Sequence, residues 1–161
     1  MELEITENII RGSIIYQLRE AFGDSYEYYD EEIEQGFKRP SFHVSRIDLI
    51  SRKGYTGNEH RLVDNTYKYV IKYFTNEKSK VKDINDKIDK LRDIFSYLNI
   101  VNIKDKKVYS KPNRINDITV TVSDDVLLFQ IGFPIRTVQY LKVDKVKSLE
   151  QHIINKEKEE L

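Results

Sequence analysis

The chain contains no cysteine and no tryptophan among its 161 residues. Without cysteine it has no disulfide, no thiolate nucleophile and no cysteine-ligated zinc site. It also lacks any continuous apolar run near the roughly 20 residues that span a bilayer. The first residues, Met1 to Glu4, are acidic and lead into an amphipathic pattern, so we expect no secretory signal and no membrane partner.

Net charge of either sign is absent as well. The chain has 27 lysines and arginines against 27 aspartates and glutamates, so its formal net charge is zero. A strongly basic nucleic-acid binder and an acidic solvating tail are therefore both disfavoured. Charged residues make up 34% of the chain and apolar residues 39%, which indicates one core beneath a highly charged surface.

Apolar spacing predicts two helices. In the first, the apolar residues near a period of 3.6 are Ile9, Ile10, Ile14, Leu18, Ala21 and Phe22. Thr6 is suited to the N-cap and Gly23 to the C-terminal stop. The second helix carries a single apolar stripe and starts after a capping Ser79. The stripe consists of Val81, Ile84, Ile88, Leu91, Phe95 and Leu98.

Strands are predicted at residues 25–29, 41–50 and 67–74, with residues 51–64 as a polar loop. A hairpin is predicted from residues 117–122 and 126–131, followed by Pro134. From Val143 onward the apolar spacing favours an added helix. The order of elements predicts an α+β fold, in which two main helices pack on a mostly antiparallel sheet, plus a C-terminal helical extension.

The sequence offers little for catalysis. Glu31, Glu32 and Glu34 form an acidic run, but no accompanying pattern of calcium ligands is present, and a solvated or partner-facing loop explains it. His43, His60 and His152 lack the spacing of a zinc site. Neither a Gly-x-Ser-x-Gly elbow nor a phosphate-binding glycine loop occurs. We therefore expect no catalytic, metal or cofactor-binding residues, and no enzyme.

One predicted strand and the charged side of the second helix carry residues that also occur on nucleic-acid-binding surfaces. Tyr67, Tyr69 and Tyr73 alternate with lysines on one strand, as base-stacking residues would, but core or protein-interface roles are commoner for such tyrosines. On the second helix, lysines such as Lys87 alternate with aspartates such as Asp83, which is typical of a solvated helix. We expect no specific nucleic-acid partner.

Residues 22–42 carry a more specific signal. Residues 31–42, EEIEQGFKRPSF, resemble the EE-[IV]-EQG-[LF]-x-x-P-x-F stretch of the phage tail terminator family, found in tailed phages and defective prophages of Gram-positive bacteria. The order of elements is also similar, over about residues 6–140. The connection at residues 99–112 is longer than the resemblance implies, and residues 141–161 extend beyond it.

This resemblance implies a structural tail-completion protein. It implies a homo-oligomeric ring, expected to be a hexamer, that caps the tail tube, ends its polymerisation and joins it to the head connector or collar. The tail tube protein and the tail sheath protein would be partners. The protein would be located in the virion tail or a bacteriocin-like particle and assembled in the bacterial cytoplasm. Another head-tail joining adaptor, or a nucleic-acid-binding α+β domain, remains an alternative.

We accordingly divide the sequence into a tail-terminator-like domain, residues 1–140, and a C-terminal helical extension, residues 141–161. Because their charges are opposite, we expect an acidic stretch and a basic stretch to form a subunit or tube interface. Its candidate residues are Glu31, Glu32, Glu34 and Gln35 on one side, and Lys38, Arg39, Arg52, Lys53 and Arg61 on the other. The sequence does not distinguish an infectious phage from a defective prophage.

Overall fold

A computed structural model describes residues 5–30, 36–55, 60–102, 104, 107–108 and 112–140, with the backbone alone at 55, 60–61, 107–108 and 137–140. Its helices are α1 (Glu7–Phe22) and α2 (Lys80–Ile94). Its longer strands are β1 (Glu27–Tyr29), β2 (Ser41–Tyr55), β3 (His60–Phe74), β8 (Asp117–Ser123) and β9 (Val126–Tyr140). Between α2 and β8 lie four two-residue strands, β4 (Tyr97–Leu98), β5 (Val101–Asn102), β6 (Lys107–Val108) and β7 (Asn113–Arg114).

The longer strands form one sheet in the order β1-β2-β3-β9-β8. Strand β1 runs parallel to β2, whereas β8 is antiparallel to β9. The short strands make two separate antiparallel pairs, β4 with β7 and β5 with β6. The predicted α+β class with a mostly antiparallel sheet is confirmed.

Helix α1 begins and ends where its sequence predicts. The Thr6 side chain accepts a hydrogen bond from the Ile9 amide at 3.3 Å, which satisfies one of the free N–H groups of the first turn. Gly23 closes the helix at φ 80°, a left-handed conformation that glycine adopts without strain. Its amide donates to the Arg19 carbonyl at 2.8 Å.

Helix α2 departs from its prediction at both ends. Ser79 occupies the N-cap position, but its side chain makes no capping hydrogen bond. Val81 is 72% exposed, because it lies in the first turn away from the sheet. Leu98 is buried, as expected, but the helix ends at Ile94 and Leu98 belongs to β4. The predicted stripe therefore reaches the core through Ile84, Leu91, Phe95 and Leu98, with Ile88 partly buried against it.

The core lies on one face of the sheet, beneath both helices. Side chains from α1 and α2 join a single buried cluster with alternate residues of β2, β3 and β9. Its members from the sheet are Phe42, Val44, Tyr67, Tyr69, Ile71, Tyr73, Leu127, Phe129, Ile131, Phe133 and Ile135. This is the helix face of the sheet, and the opposite side, which neither of the two described helices covers, is called its open face.

Two strands are longer than predicted. Residues 51–55 continue β2 and residues 60–64 begin β3, so the predicted loop at 51–64 is wrong for the described part of that range. Charged residues and Gly54 made this stretch resemble a loop, although an exposed strand carries similar residues. Residues 56–59 lie outside the described residues.

The predicted hairpin is confirmed, with a tighter turn. Ser123 still pairs with Val126, which leaves a two-residue turn of Asp124 and Asp125. Their φ angles are 51° and 62°, as a type I′ turn requires, and aspartate tolerates this region better than most residues.

Strand β9 continues through Pro134, which the sequence had placed beyond the hairpin. The last described pairing to β8 is at Gly132, whose carbonyl accepts from the Asn116 amide at 2.9 Å. Alternate residues of a strand face the same edge, so Pro134 faces the edge where β8 has ended and its missing N–H breaks no ladder bond there. The predicted helix from Val143 lies outside the described residues.

The chain divides into two compact units. The first consists of residues 1–50 and 65–135, and the second of Ser51–Asp64 and Arg136–Leu161. Within the second unit, Arg136 and Asp64 form an ion pair at 3.2 Å. Strands β2, β3 and β9 contribute residues to both units.

Candidate functional site

The motif that carries the family resemblance leads directly into β2. Gly36 has a φ of 110°, which strongly favours glycine, and the Arg39–Pro40 peptide bond is cis. The Pro40 carbonyl accepts a hydrogen bond from the Glu27 amide at 3.1 Å, which starts the parallel pairing of β1 and β2. Residues 36–40 thus form a defined connection at one edge of the sheet.

Phe37 anchors this connection on the open face. Its ring lies 4.6 Å from the Phe74 ring and 4.8 Å from the His43 ring, measured between centroids. His43 also contacts Tyr29 at 4.8 Å and Phe74 at 4.7 Å. We call these four side chains, Tyr29, Phe37, His43 and Phe74, the open-face aromatic patch.

His43 is the titratable member of this patch. Partial burial, and the nearby positive charge of Lys72, hold the pKa of His43 below its usual value. Its Nε2 lies 3.1 Å from the hydroxyl of buried Ser41. The neutral ring therefore acts as an aromatic packing partner that also shares a hydrogen bond.

The other aromatic residue of the motif, Phe42, points to the opposite side. It is fully buried on the helix face, with its ring 4.8 Å from Phe22, 4.9 Å from Tyr73 and 5.4 Å from Tyr26. Phe37 and Phe42 therefore pack against opposite faces of the sheet. This gives the motif a physical role in fixing the edge strands, independent of any catalytic chemistry.

The two cations within the motif are presented to solvent. Lys38 and Arg39 are both exposed. The Arg39 guanidinium lies over the rings of Phe37 at 5.2 Å and Phe74 at 5.5 Å. Lys38 is held through its backbone, since its amide donates to the Tyr29 hydroxyl at 3.2 Å. Both charges thus sit on an ordered segment beside the aromatic patch.

The remaining interface candidates fall in other places. Glu31, Glu32, Glu34 and Gln35 lie outside the described residues. Arg52 and Lys53 are exposed in the part of β2 that belongs to the second unit. The backbone of Arg61 lies in β3, and its side chain is outside the described set. Of the nine candidates, the side chains of Lys38, Arg39, Arg52 and Lys53 are described, and all four are exposed.

The polar side of α2 is not uniformly solvated, which corrects one prediction. Lys87 is 9% exposed and lies 3.0 Å from the Asp83 carboxylate. The same carboxylate accepts hydrogen bonds from the hydroxyls of Tyr73 and Thr75, each at 2.6 Å. The Lys87 ammonium also lies over the Tyr26 ring at 5.2 Å. This network joins α2 to β3, and the alternation of lysine and aspartate did not reveal it.

The β3 tyrosines do not form a base-stacking surface. Tyr67, Tyr69 and Tyr73 lie on the helix face and are at most 6% exposed, so the core interpretation is confirmed. Tyr67 and Tyr69 instead stack with Phe133 of β9, at 5.8 and 6.1 Å. An RNA-recognition sheet requires its aromatic rings on an accessible face.

Neither a metal site nor a membrane-spanning helix is found among the described residues. Within them, no group of three or more His, Asp or Glu side chains is placed to hold a metal ion. Neither of the helices in these ranges has the length and apolar character of a membrane span.

Comparison with known proteins bears directly on this motif and fold. A family model described as "Phage tail terminator protein" matches residues 9–145. The chain belongs to the phage tail terminator family. Family membership supports a role in completing the phage tail, together with other tail components. No curated protein matches the chain. The match includes most of α1, the motif, α2 and all five strands of the larger sheet, so the resemblance noted in residues 31–42 extends over most of the chain.

Proposed function

We propose that this family member caps the tail tube as a ring of identical subunits, six in number, and thereby ends tube polymerisation. The observation that carries the proposal is the family match over residues 9–145 on a matching α+β fold. The ring would present one side to the last tube subunits and the other to the head connector or collar. In a contractile tail it would also contact the sheath.

The proposed role needs no chemistry from the chain. Its motif is used for packing, through Phe37 on one face of the sheet and Phe42 on the other. We therefore propose a structural protein that is not an enzyme and that takes no cofactor. It would assemble in the cytoplasm of the bacterial host and remain in the virion tail or phage-tail-like particle.

A closed ring requires a heterologous contact, in which one patch of a subunit meets a different patch of the next. Lys38 and Arg39 supply exposed positive charge on an ordered segment. We propose that the acidic residues Glu31, Glu32 and Glu34 face the basic candidates, Arg52, Lys53 and Arg61 among them, across subunit or tube boundaries. Charge pairing of this kind sets register more than affinity.

Negative-stain microscopy tests the ring directly. Purified protein, and tails isolated from cells that express the tail genes, would be imaged and the subunits of any terminal ring counted. A ring at the head-proximal end that is lost when the gene is deleted supports the proposal. Tails that carry the same terminal ring without this protein would contradict it.

The same deletion separates the proposed role from its nearest rival. A terminator that is lost leaves tube growth unchecked, so tails become over-long as well as headless. A head-tail joining adaptor that is lost leaves headless tails of normal length. Tail length therefore decides between the two readings of this family member.

A further inference from the structure

The five-stranded sheet has a free edge at each end. Within the described residues, β8 pairs only with β9, over Asp117 to Ser123. At the other end, β1 covers β2 only at residues 41–43. The rest of the outer edge of β2 has no strand partner in the part of the chain that the structure describes. Free edges of this length offer unsatisfied backbone groups to another strand.

Strand β8 also exposes an apolar row. All seven of its residues are exposed. Ile118, Val120 and Val122 are 37% to 50% exposed, although they pair with the buried residues Ile131, Phe129 and Leu127. They therefore lie on the helix face, extending the core surface beyond the cover of the helices.

The free part of β2 carries a similar set. Ile47, Leu49 and Ile50 are 38% to 49% exposed. Alternation along β2 places Asp48 and Ile50 on the helix face with Phe42 and Val44, and Ile47 and Leu49 on the open face. The ion pair between Arg46 and Glu7 of α1 agrees with this assignment. Both free edges thus combine open backbone with exposed aliphatic side chains.

The two edges differ in charge. Residues 117–125, β8 and its turn, hold Asp117, Asp124 and Asp125 and no basic residue, and of these Asp125 is paired with Lys80 of α2 at 3.1 Å. Strand β2 holds Arg52 and Lys53 against Asp48, while the charge of its Arg46 is paired with Glu7. One edge is therefore acidic and the other mainly basic, whereas two copies of the same edge would repel each other. Soluble proteins place charges on exposed edges to prevent such self-pairing.

We propose that β8 of one subunit pairs with the free edge of β2 in the next subunit, so that the sheet continues from copy to copy. We assign the partner strand to a second copy of the protein, because both complementary edges belong to the same chain. Each pairing leaves one free edge of each kind, so the contact repeats until a ring closes. The inference rests on the proposed ring and specifies how its subunits join.

The absence of cysteine permits a clean cross-linking test. Each variant would carry one cysteine on the helix face of each edge, with Ile118→Cys, Val120→Cys or Val122→Cys combined with Asp48→Cys or Ile50→Cys, so that successive registers are sampled. The matched control is Thr121→Cys with Ile50→Cys. Adjacent residues of a strand point to opposite faces, and cysteines that point apart cannot form a disulfide.

The variants would be expressed with the tail genes, and tails carrying the protein would be purified and oxidised. Circular dichroism and thermal unfolding would first confirm that each variant folds like the parent chain. We expect covalent multimers, up to the full ring, from at least one of these combinations, and severalfold fewer from the Thr121→Cys control. Each cysteine alone should give no multimers above dimer.

Other outcomes contradict the inference in distinguishable ways. Terminal rings without multimers, or multimers equally abundant in the control, would reject edge pairing and leave the terminator role intact. Cross-links to the tube or sheath protein in place of a second copy would assign these edges to another partner and also reject it. Absence of the protein from purified tails would contradict the proposed function itself.

Discussion

The Lys87 ammonium lies 3.0 Å from the Asp83 carboxylate, one turn earlier in α2, in a site where both side chains are nearly buried. Burial opposes the ionisation of Asp83, but hydrogen bonds from Thr75, Tyr73 and Lys87 outweigh it and hold the pKa of Asp83 below its usual range. Burial likewise disfavours the Lys87 ammonium, yet its interactions with Tyr26 and Asp83 raise the pKa of Lys87. Each partner thus stabilises the charged form of the other.

Removing the carboxylate should therefore destabilise the fold more than an ordinary helix-surface change. Asp83→Ala leaves a nearly buried ammonium without its ion-pair partner and two hydroxyls without their acceptor, and should cost about 3 kcal/mol. Urea unfolding followed by circular dichroism measures this. Asp86→Ala, an exposed aspartate of the same helix, is the control and should cost under about 0.5 kcal/mol. Equal costs for the two variants would contradict the network.

The same helix provides a test of the core. Leu91 is fully buried in the cluster beneath α2, and Leu91→Ala should cost about 2–5 kcal/mol as a large-to-small change. Val81→Ala, at a 72% exposed position of α2, is the matched control and should change the unfolding free energy by less than about 0.5 kcal/mol. A Leu91→Ala protein as stable as its parent would show that α2 does not pack as described.

Stability near neutral pH should depend on His43. Its folded-state pKa is lowered, by burial first and by Lys72 second, so the unfolded chain binds more protons than the folded chain as pH falls below about 6.5. The unfolding free energy should therefore increase with pH between the folded-state pKa and about 7.

Replacing His43 by an aromatic residue that does not titrate isolates this contribution. His43→Phe keeps an aromatic side chain next to Phe37 and Phe74, and should flatten the pH dependence of the unfolding free energy below about pH 7. Denaturant unfolding at a series of pH values measures the slope. An unchanged slope in the variant would assign the effect to other groups.

Part of the fold could be predicted from local sequence signals alone. Local signals were sufficient for α1, with Thr6 and Gly23 at its ends, and for the turn at Asp124 and Asp125, because caps and turns depend on adjacent residues. Alternation on β3 also predicted its buried tyrosines.

Contacts between residues that are distant in sequence could not be predicted from such local signals. The burial of Lys87 follows from Tyr26, Tyr73 and Asp83 meeting in three dimensions, and a solvated helix shows the same spacing of charges. The exposed row on β8 depends on that strand being an edge, which hydrophobic alternation does not specify. The motif could be recognised from its residues, whereas the opposite directions of Phe37 and Phe42 depend on the sheet.

Charge reversal tests the acidic part of the proposed interface. Reversing charge with Glu32→Lys and Glu34→Lys should weaken ring formation or tube capping, because opposite charges set the register between neighbours. The monomer should remain folded by circular dichroism. The control is Glu20→Lys, which reverses an exposed charge on α1. Tail-end occupancy would be counted by electron microscopy, and equal occupancy in both variants would remove the acidic run from the interface.

Tail length in a particle-assembly system tests the central claim most directly. Tails would be assembled in cells with the gene intact, deleted, or deleted and supplied from a plasmid, and their lengths and heads would be scored by electron microscopy. If this member of the tail terminator family caps the tube, deletion gives over-long, headless tails and the plasmid restores the parental length. Tails of normal length that still carry heads in the absence of the protein would contradict the account.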